Sequence, residues 1–441
     1  MRPDAPRLLG ALVLAAVVVS LVRAGATAAP VPDHGTWLQE AIAAAPAGGI
    51  VDVPAGRHQG PFVIDRRLHL RGTRDAVLEG NGADHVIAVR APDVVVEGVT
   101  VRGSGMDLGK DHAAIHVSAP RATVRNVRVL ESLHGIYVRQ ADDVRIEDNE
   151  ITGRDTVREL VDPVTLRPTP EGGELCDVAL AQGQRGNGIH AWNSTGVVIQ
   201  RNVIRRTRDG IYFSFVDGAE VAHNDIAHTR YGLHYMYSDD NRFTRNQFSD
   251  NAAGAALMFS QGIELTDNDF QANRSHRAYG MLWHTVELSE ARGNRVSGNT
   301  VGLFVEGGHG NRVVDNRIAG NHVGIRLSAS SDGGTFAGNA FVGNVHTVEA
   351  SGDHRSNRWA HEGRGNYWDA ALRLDLNADG IGDLPHNELD LFGELRGPFP
   401  AVALLSGSPA ERLLRFVHAR LRLPGLTGVT DPAPLVEAPR S

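Results

Sequence analysis

From position 188 the chain repeats itself every 22 residues. Gly188, Gly210, Gly232 and Gly254 open successive units, and after one unit lengthened by four residues the series resumes at Gly280, Gly302 and Gly324. An Asn stands 14 residues after each of the first six glycines: Asn202, Asn224, Asn246, Asn268, Asn294 and Asn316. Two residues further on comes an apolar side chain, as in Ile204, Ile226 and Phe248. An earlier unit, with Gly135, Asn149 and Ile151, obeys the same offsets. Self-similarity at a fixed period of this size decides the architecture ahead of any local reading.

A unit this short holds three strands and three bends. Pieces such as Val197-x-Ile199 alternate like a strand, and no piece has a helix-length apolar face. The pattern predicts an all-β fold, a single-stranded right-handed parallel β-helix in which each unit is one coil. The repeated Asn either stacks into a ladder from coil to coil or, with the Gly, serves only as a turn residue. A solenoid grows along one axis, so 441 residues need not mean several domains. The formal net charge of −8 argues against a nucleic-acid partner. A single cysteine, Cys176, excludes an internal disulfide.

Residues 1–28 read as a secretory leader of the Sec type. Arg2 and Arg7 precede an apolar run from Leu8 to Val22, and small residues from Ala24 to Ala29 follow. The run is shorter than the roughly 20 residues a membrane span needs, so cleavage near Ala28 and export to the periplasm are expected. Residues 29–50 then form an N-terminal cap, with a short amphipathic helix over Thr36 to Ala45. Residues 51–350 form the coil, and residues 351–441 a tail. The coil is interrupted at 153–187 by an insertion with Pro163, Pro168, Pro170 and Cys176. A smaller insertion lies around Ser275-His276-Arg277, at the same corner. Insertions on one face of a solenoid often mark its binding face.

After the period fades comes Gly365-Asn366-Tyr367-Trp368-Asp369, then a run from Asp375 to Pro385 that reads D-x-N-x-D-G-I-G-D-x-P. With the leader and the Gly-Ile…Asn coils, this tail resembles the NosD family, the periplasmic β-helix subunits of the transporter that matures nitrous oxide reductase. One departure is His386 after Pro385, where family tails often have Tyr. The resemblance implies partners: a membrane permease and a cytoplasmic ATPase in an ABC-type assembly, a copper-chaperone lipoprotein, and the reductase with its copper–sulfide centre. It also implies a docking and cargo-binding subunit with no enzyme activity, and the chain has no nucleotide-binding phosphate loop. The rival is a carbohydrate-binding or polysaccharide-active β-helix. Glycoside hydrolysis needs two placed carboxylates, and the candidates, Asp239-Asp240 and the His309 turn, fall three coils apart, about 14 Å at ~4.8 Å per strand.

Alternation along the Gly-led strand turns the first and third residues after Gly inward and the second and fourth outward. The outward columns are Tyr137, His190, Tyr212, His234, Ala256, Leu282, Phe304 and Arg139, Trp192, Ser214, Met236, Met258, His284, Glu306. A solvated face would be polar, so this one reads as an interaction site. Thioethers and imidazoles suit copper(I). Met236, Met258 and His284, with His234 beside them, are therefore the candidate copper(I) ligands, packing under a covering loop being the alternative. Met106, His112 and His116 form a second cluster. Asp375, Asn377, Asp379 and Asp383 match positions 1, 3, 5 and 9 of a calcium loop that lacks its final Glu, or they are simply turn residues. Pro409 to Leu423 reads as a basic amphipathic helix, a cap for the coil or a contact with membrane or permease.

Overall fold

A computed structural model describes residues 36–154, 185–275, 278–352, 354–389, 408–410, 413 and 428–439. The leader, the body of the large insertion with Cys176, and most of Pro409 to Leu423 lie outside the described residues. Among the described residues no helix is long and apolar enough to cross a membrane.

Strands of two to nine residues follow one another through three bends per turn. They stack into three parallel sheets of 12, 13 and 12 strands, in which strands pair with those three positions before and after them in chain order, except that the last strand of the 13-stranded sheet, Tyr367–Trp368, pairs with Ala340–Val342 two positions before it. The result is a parallel β-helix of about 12 turns with about 22 residues per turn. Register repeats at the same offset. Ile189 lies beside Ile211, Ile211 beside Leu233, Leu233 beside Ala255, and Ala255 beside Met281. All five are fully or almost fully buried, so the inward column is a continuous apolar stack that water does not reach.

The repeated Gly has a cause other than turn geometry. A Cβ on Gly210 would lie 2.5 Å from the carbonyl oxygen of Gly232, and one on Gly232 would lie 2.6 Å from that of Gly254. The backbones of neighbouring coils approach too closely there for any side chain.

The repeated Asn forms a ladder. Each buried Asn donates Nδ2–H to Oδ1 of the next, at 2.9 to 3.0 Å, from Asn149 through Asn202, Asn224, Asn246, Asn268, Asn294, Asn316 and Asn339 to Asn366. The same Oδ1 accepts the backbone N–H of the preceding Asn, as Asn246 does from Asn224 at 3.0 Å. Nδ2 also donates to a carbonyl of the preceding coil, as Asn246 does to Val221 at 2.9 Å. A second ladder runs from Asn251 to Asn344 at the next corner.

Both open ends are covered. At the first coil the helix α1 (Trp37–Ala44) buries Leu38 and Ile42, and Gln39 bonds to both the N–H and the C=O of Val63, at 2.8 and 3.3 Å. At the other end Asn366 closes the ladder on Asp431, which belongs to the strand Gly428–Asp431 and is fully buried. Asp431 accepts from Asn366 N at 2.6 Å and from Trp368 Nε1 at 2.8 Å. A Cβ on Gly365 would lie 1.9 Å from its Oδ1. Gly365, Asn366 and Trp368 are thus a socket for one carboxylate.

Asn246→Ala removes the acceptor for two donors of Asn224. At about 1–3 kcal/mol for each buried group left unsatisfied, the variant is expected to lose about 3 kcal/mol, read as a lower urea midpoint. Ile211→Asp, which buries an unpaired carboxylate, is expected to yield no soluble folded protein.

Candidate functional site

The outward columns stand in register. His116, Tyr137, His190, Tyr212 and His234 occupy one position on five successive strands. Their ring centroids are 5.4, 4.4, 4.6 and 4.9 Å apart in sequence. In the parallel column Met236 pairs with Met258, and Met258 with His284. The period thus brings the predicted copper ligands onto three adjacent strands. The face is more covered than alternation alone suggests: Ala256 is buried and Tyr137 is only 3% exposed. Toward its N-terminal side a cleft of about 500 Å³ is lined by Leu108, Asp111, His134, His190, Asp209 and other groups.

Hydrogen bonding decides which histidines present a lone pair. Nδ1 of His134 accepts the buried N–H of Asn187 at 2.9 Å. In the neutral ring the proton then sits on Nε2. Nδ1 of His85 accepts from Ala113 N at 3.1 Å, and Nδ1 of His112 from Asp107 N at 3.4 Å, with the same result. Asp111, His134 and His190 offer ligand atoms within 4.8 Å of one another. Nε2 of His134 nevertheless carries the ring proton, 3.8 Å from Asp111 and without a hydrogen-bond partner, so this trio does not fit a metal as the rings are set. The same argument removes His112 from the second predicted cluster.

His234 and His284 are set the other way. Nδ1 of His234 lies 2.9 Å from Oδ2 of Asp209, and Nδ1 of His284 lies 2.8 Å from Oε2 of Glu306. A carboxylate only accepts, and at His234 it lies nearer to Nδ1 than Arg230 Nη2, which stands 3.3 Å away, so each ring carries its proton on Nδ1 and leaves the Nε2 lone pair for a ligand, the arrangement common behind metal-bound imidazoles. Met236, Met258, His234 and His284 are all partly exposed.

Asp209 and Arg230, which position His234, escape periodic reading. Asp209 is 1% and Arg230 5% exposed, and two parallel bonds of 2.7 and 2.6 Å join them. Burial works against the Asp209 charge, yet the bonds and charges of His234 and Arg230 overcome it and hold the carboxyl below the usual range. The signal available in the sequence was a pair of opposite charges, Asp209 and Arg230, just ahead of consecutive Gly-led strands.

Other predicted residues stand elsewhere. In the Asp375–Asp383 loop the carboxylates hold the loop's own amides: Asp375 accepts from Gly380 N at 2.9 Å, Asp379 from Ile381 N at 2.8 Å, and Asp383 from Leu376 N at 2.7 Å. Asn377 donates to Asp379 at 2.9 Å. This is turn chemistry, and nothing in it singles out calcium. His309 bonds to Asp332 and lies three coils beyond Asp239.

A family model described as "Periplasmic copper-binding protein (NosD)" matches residues 172–372. That stretch holds His234, Met236, Met258, His284 and the Gly365–Trp368 socket. The chain is 36% identical over 406 residues to the probable ABC transporter binding protein NosD of Stutzerimonas stutzeri, covering 88% of this chain and 86% of that protein. It is 37% identical over 432 residues to the protein of the same name from Pseudomonas aeruginosa, covering 94% and 93%. The chain belongs to the NosD family. Solved structures similar to this NosD-family chain include the A-module of mannuronan C-5 epimerase AlgE4 from Azotobacter vinelandii. It is 16% identical with TM-score 0.48, covering 76% of this chain and 91% of that one. The periplasmic alginate epimerase AlgG is another, at 13% identity and TM-score 0.44, covering 75% and 83%.

The buried charges and rings carry two predictions. Asp209→Asn breaks the buried Asp209–Arg230 ion pair, at a cost of about 3–5 kcal/mol, and calorimetry is expected to show a large drop in Tm. Burial pushes His116 down to about 4 and His134 down to about 3. An unfolded histidine takes up its proton near 6.5. Below that pH the unfolded chain therefore binds more protons than the folded one, and stability falls with pH. Urea midpoints are expected to be level above about pH 6.5 and to decline toward pH 4. His116→Phe is expected to flatten that decline by about one proton.

Proposed function

We propose that this chain is the periplasmic docking and cargo-binding subunit of an ABC-type transporter that matures the copper–sulfide centre of nitrous oxide reductase. It takes copper(I) from a chaperone lipoprotein and performs no catalysis itself. Family membership over nearly the whole chain supports the transporter role. The single observation that carries the copper reading is the set of soft ligands in register on three strands, with carboxylates turning both imidazoles the right way. Met236 and Met258 supply thioethers, and His284 and His234 supply Nε2. Glu306 and Asp209 act behind the rings. Thioethers select copper(I) over zinc, which favours imidazole, thiolate and carboxylate. The proposed partners are the permease, the ATPase, the chaperone lipoprotein and the reductase. Replacement of residues 409–423 by a Gly/Ser linker of equal length, which keeps the Asp431 strand that closes the coil, is expected to leave a folded protein that no longer copurifies with the permease, as attachment through the Pro409 to Leu423 segment requires.

The Met236→Leu, Met258→Leu double variant keeps apolar bulk and is expected to fold normally, since volume-conserving swaps cost little. Its copper(I) affinity, measured by chelator competition under reducing conditions, is expected to drop about tenfold or more, equivalent to ~1.4 kcal/mol or more. Cells carrying it are expected to accumulate copper-poor reductase. Unchanged affinity in this variant overturns the copper site.

A further inference from the structure

The bend that leaves the Gly-led strand carries side chains its backbone disfavours. Asn193, Phe215, Tyr237, Phe259 and Thr285 take that position on five successive coils, with φ between 49° and 54°. Left-handed backbone suits Gly, Asn and Asp and strains a bulky residue. Three of the five are nevertheless aromatic. Their rings stack with centroids 5.4 and 5.1 Å apart and planes within 12° of parallel. Phe215, Tyr237 and Phe259 remain 52%, 46% and 39% exposed. The core gains nothing from them.

An acidic row runs alongside. Asp142, Asp217 and Asp239 are fixed by accepting the backbone N–H groups of Thr195, Asp239 and Gln261 at 2.8, 2.7 and 2.9 Å. Elsewhere on the coil some exposed carboxylates pair with arginines of a neighbouring turn, as Asp93 does with Arg121, Asp148 with Arg201 and Glu264 with Arg242. Among the described residues Asp142, Asp217 and Asp239 have no such cation. A groove of about 520 Å³ opens between row and stripe, lined by Asp142, Asp217, Phe215 and Tyr237 among others. The stripe also adjoins the copper column. Met236 and Met258 directly precede Tyr237 and Phe259, and the Phe259 ring meets His284 edge-on at 5.1 Å.

We infer that the stripe of Phe215, Tyr237 and Phe259 is the docking surface for the protein that hands copper(I) to the Met236–Met258–His284 column, and that this partner seats a basic side chain, flanked by apolar ones, in the acidic groove. The inference rests on the copper reading proposed above. Charge favours such a partner over a second copy of this chain, because two copies would bring two acidic rows together. A guanidinium fits the groove best, since it stacks on aromatic rings and pairs with carboxylates at once.

The test uses the mature full-length chain and the copper(I)-loaded soluble domain of the chaperone lipoprotein. The Phe215→Asn, Tyr237→Asn, Phe259→Asn triple variant places at each bend the residue type that Asn193 already shows there, so its Tm is expected to be unchanged or raised. Its affinity for the loaded donor is expected to fall about tenfold or more, as for loss of aromatic anchors. The Asp217→Asn, Asp239→Asn variant is expected to lose most of the salt dependence of association. Both should keep copper(I) affinity within about twofold of the parent when a chelator supplies the metal. Undiminished donor binding by both variants overturns the inference, as does sedimentation showing a parent dimer that the triple variant abolishes. Two further outcomes separate this inference from the reading beneath it. If the Met236→Leu, Met258→Leu variant keeps its copper(I) while the triple variant loses the donor, the copper column fails and the docking surface stands. If the double variant loses copper(I) and the triple variant keeps the donor, the column stands and the docking surface fails.

Discussion

The side-chain amide of Asn is the smallest group that offers two donors and an acceptor in one plane, and the coil depends on that. At each turn one Asn joins its own coil to the coils before and after it. Its Oδ1 takes both a backbone and a side-chain N–H of the preceding Asn, and its Nδ2 reaches a carbonyl beyond. An Asn one residue out of register would leave these buried groups unpaired. The ladder therefore fixes which residue of one turn sits on which residue of the next, and the outward columns inherit that register. Met236, Met258 and His284 line up because Asn224, Asn246, Asn268 and Asn294 do.

Periodic features were legible in the sequence. The Gly and Asn spacing implied the coil, alternation implied which side chains face in, and counting placed the thioether column on adjacent strands. The reason for the Gly was not legible as turn chemistry, because it lies in a backbone approach of about 2.5 Å between coils. Equally hidden was the Asp431 plug, which closes on Asn366 from 65 residues away through a segment with no repeat. Asp209 and Arg230 lie buried beneath the outward face, and the period carries no information about that pairing. Their role appears only when His234 is placed over them.

The histidines show most clearly what residue type alone leaves open. The N-terminal part of the face is richer in imidazole than the Met column, and by composition it is the better metal site. Backbone amides there donate to Nδ1 and lock the proton on the outer nitrogen of His85, His112 and His134. Where a carboxylate replaces the amide, at His234 and His284, the polarity of the ring reverses. One neighbour on the far side of each ring separates a hydrogen-bond donor from a ligand.

The Asn ladder also has a direction. Every side-chain amide from Asn149 to Asn339 donates toward the C-terminal end, so their dipoles add rather than cancel, and chained hydrogen bonds polarise one another. The column behaves as a long electret whose positive pole emerges at the last coil. The group waiting there is an anion, Asp431, drawn in from the far side of the tail. The positive end of the solenoid thus meets a carboxylate from its own chain, Asp431, with the last amide of the ladder donating to it.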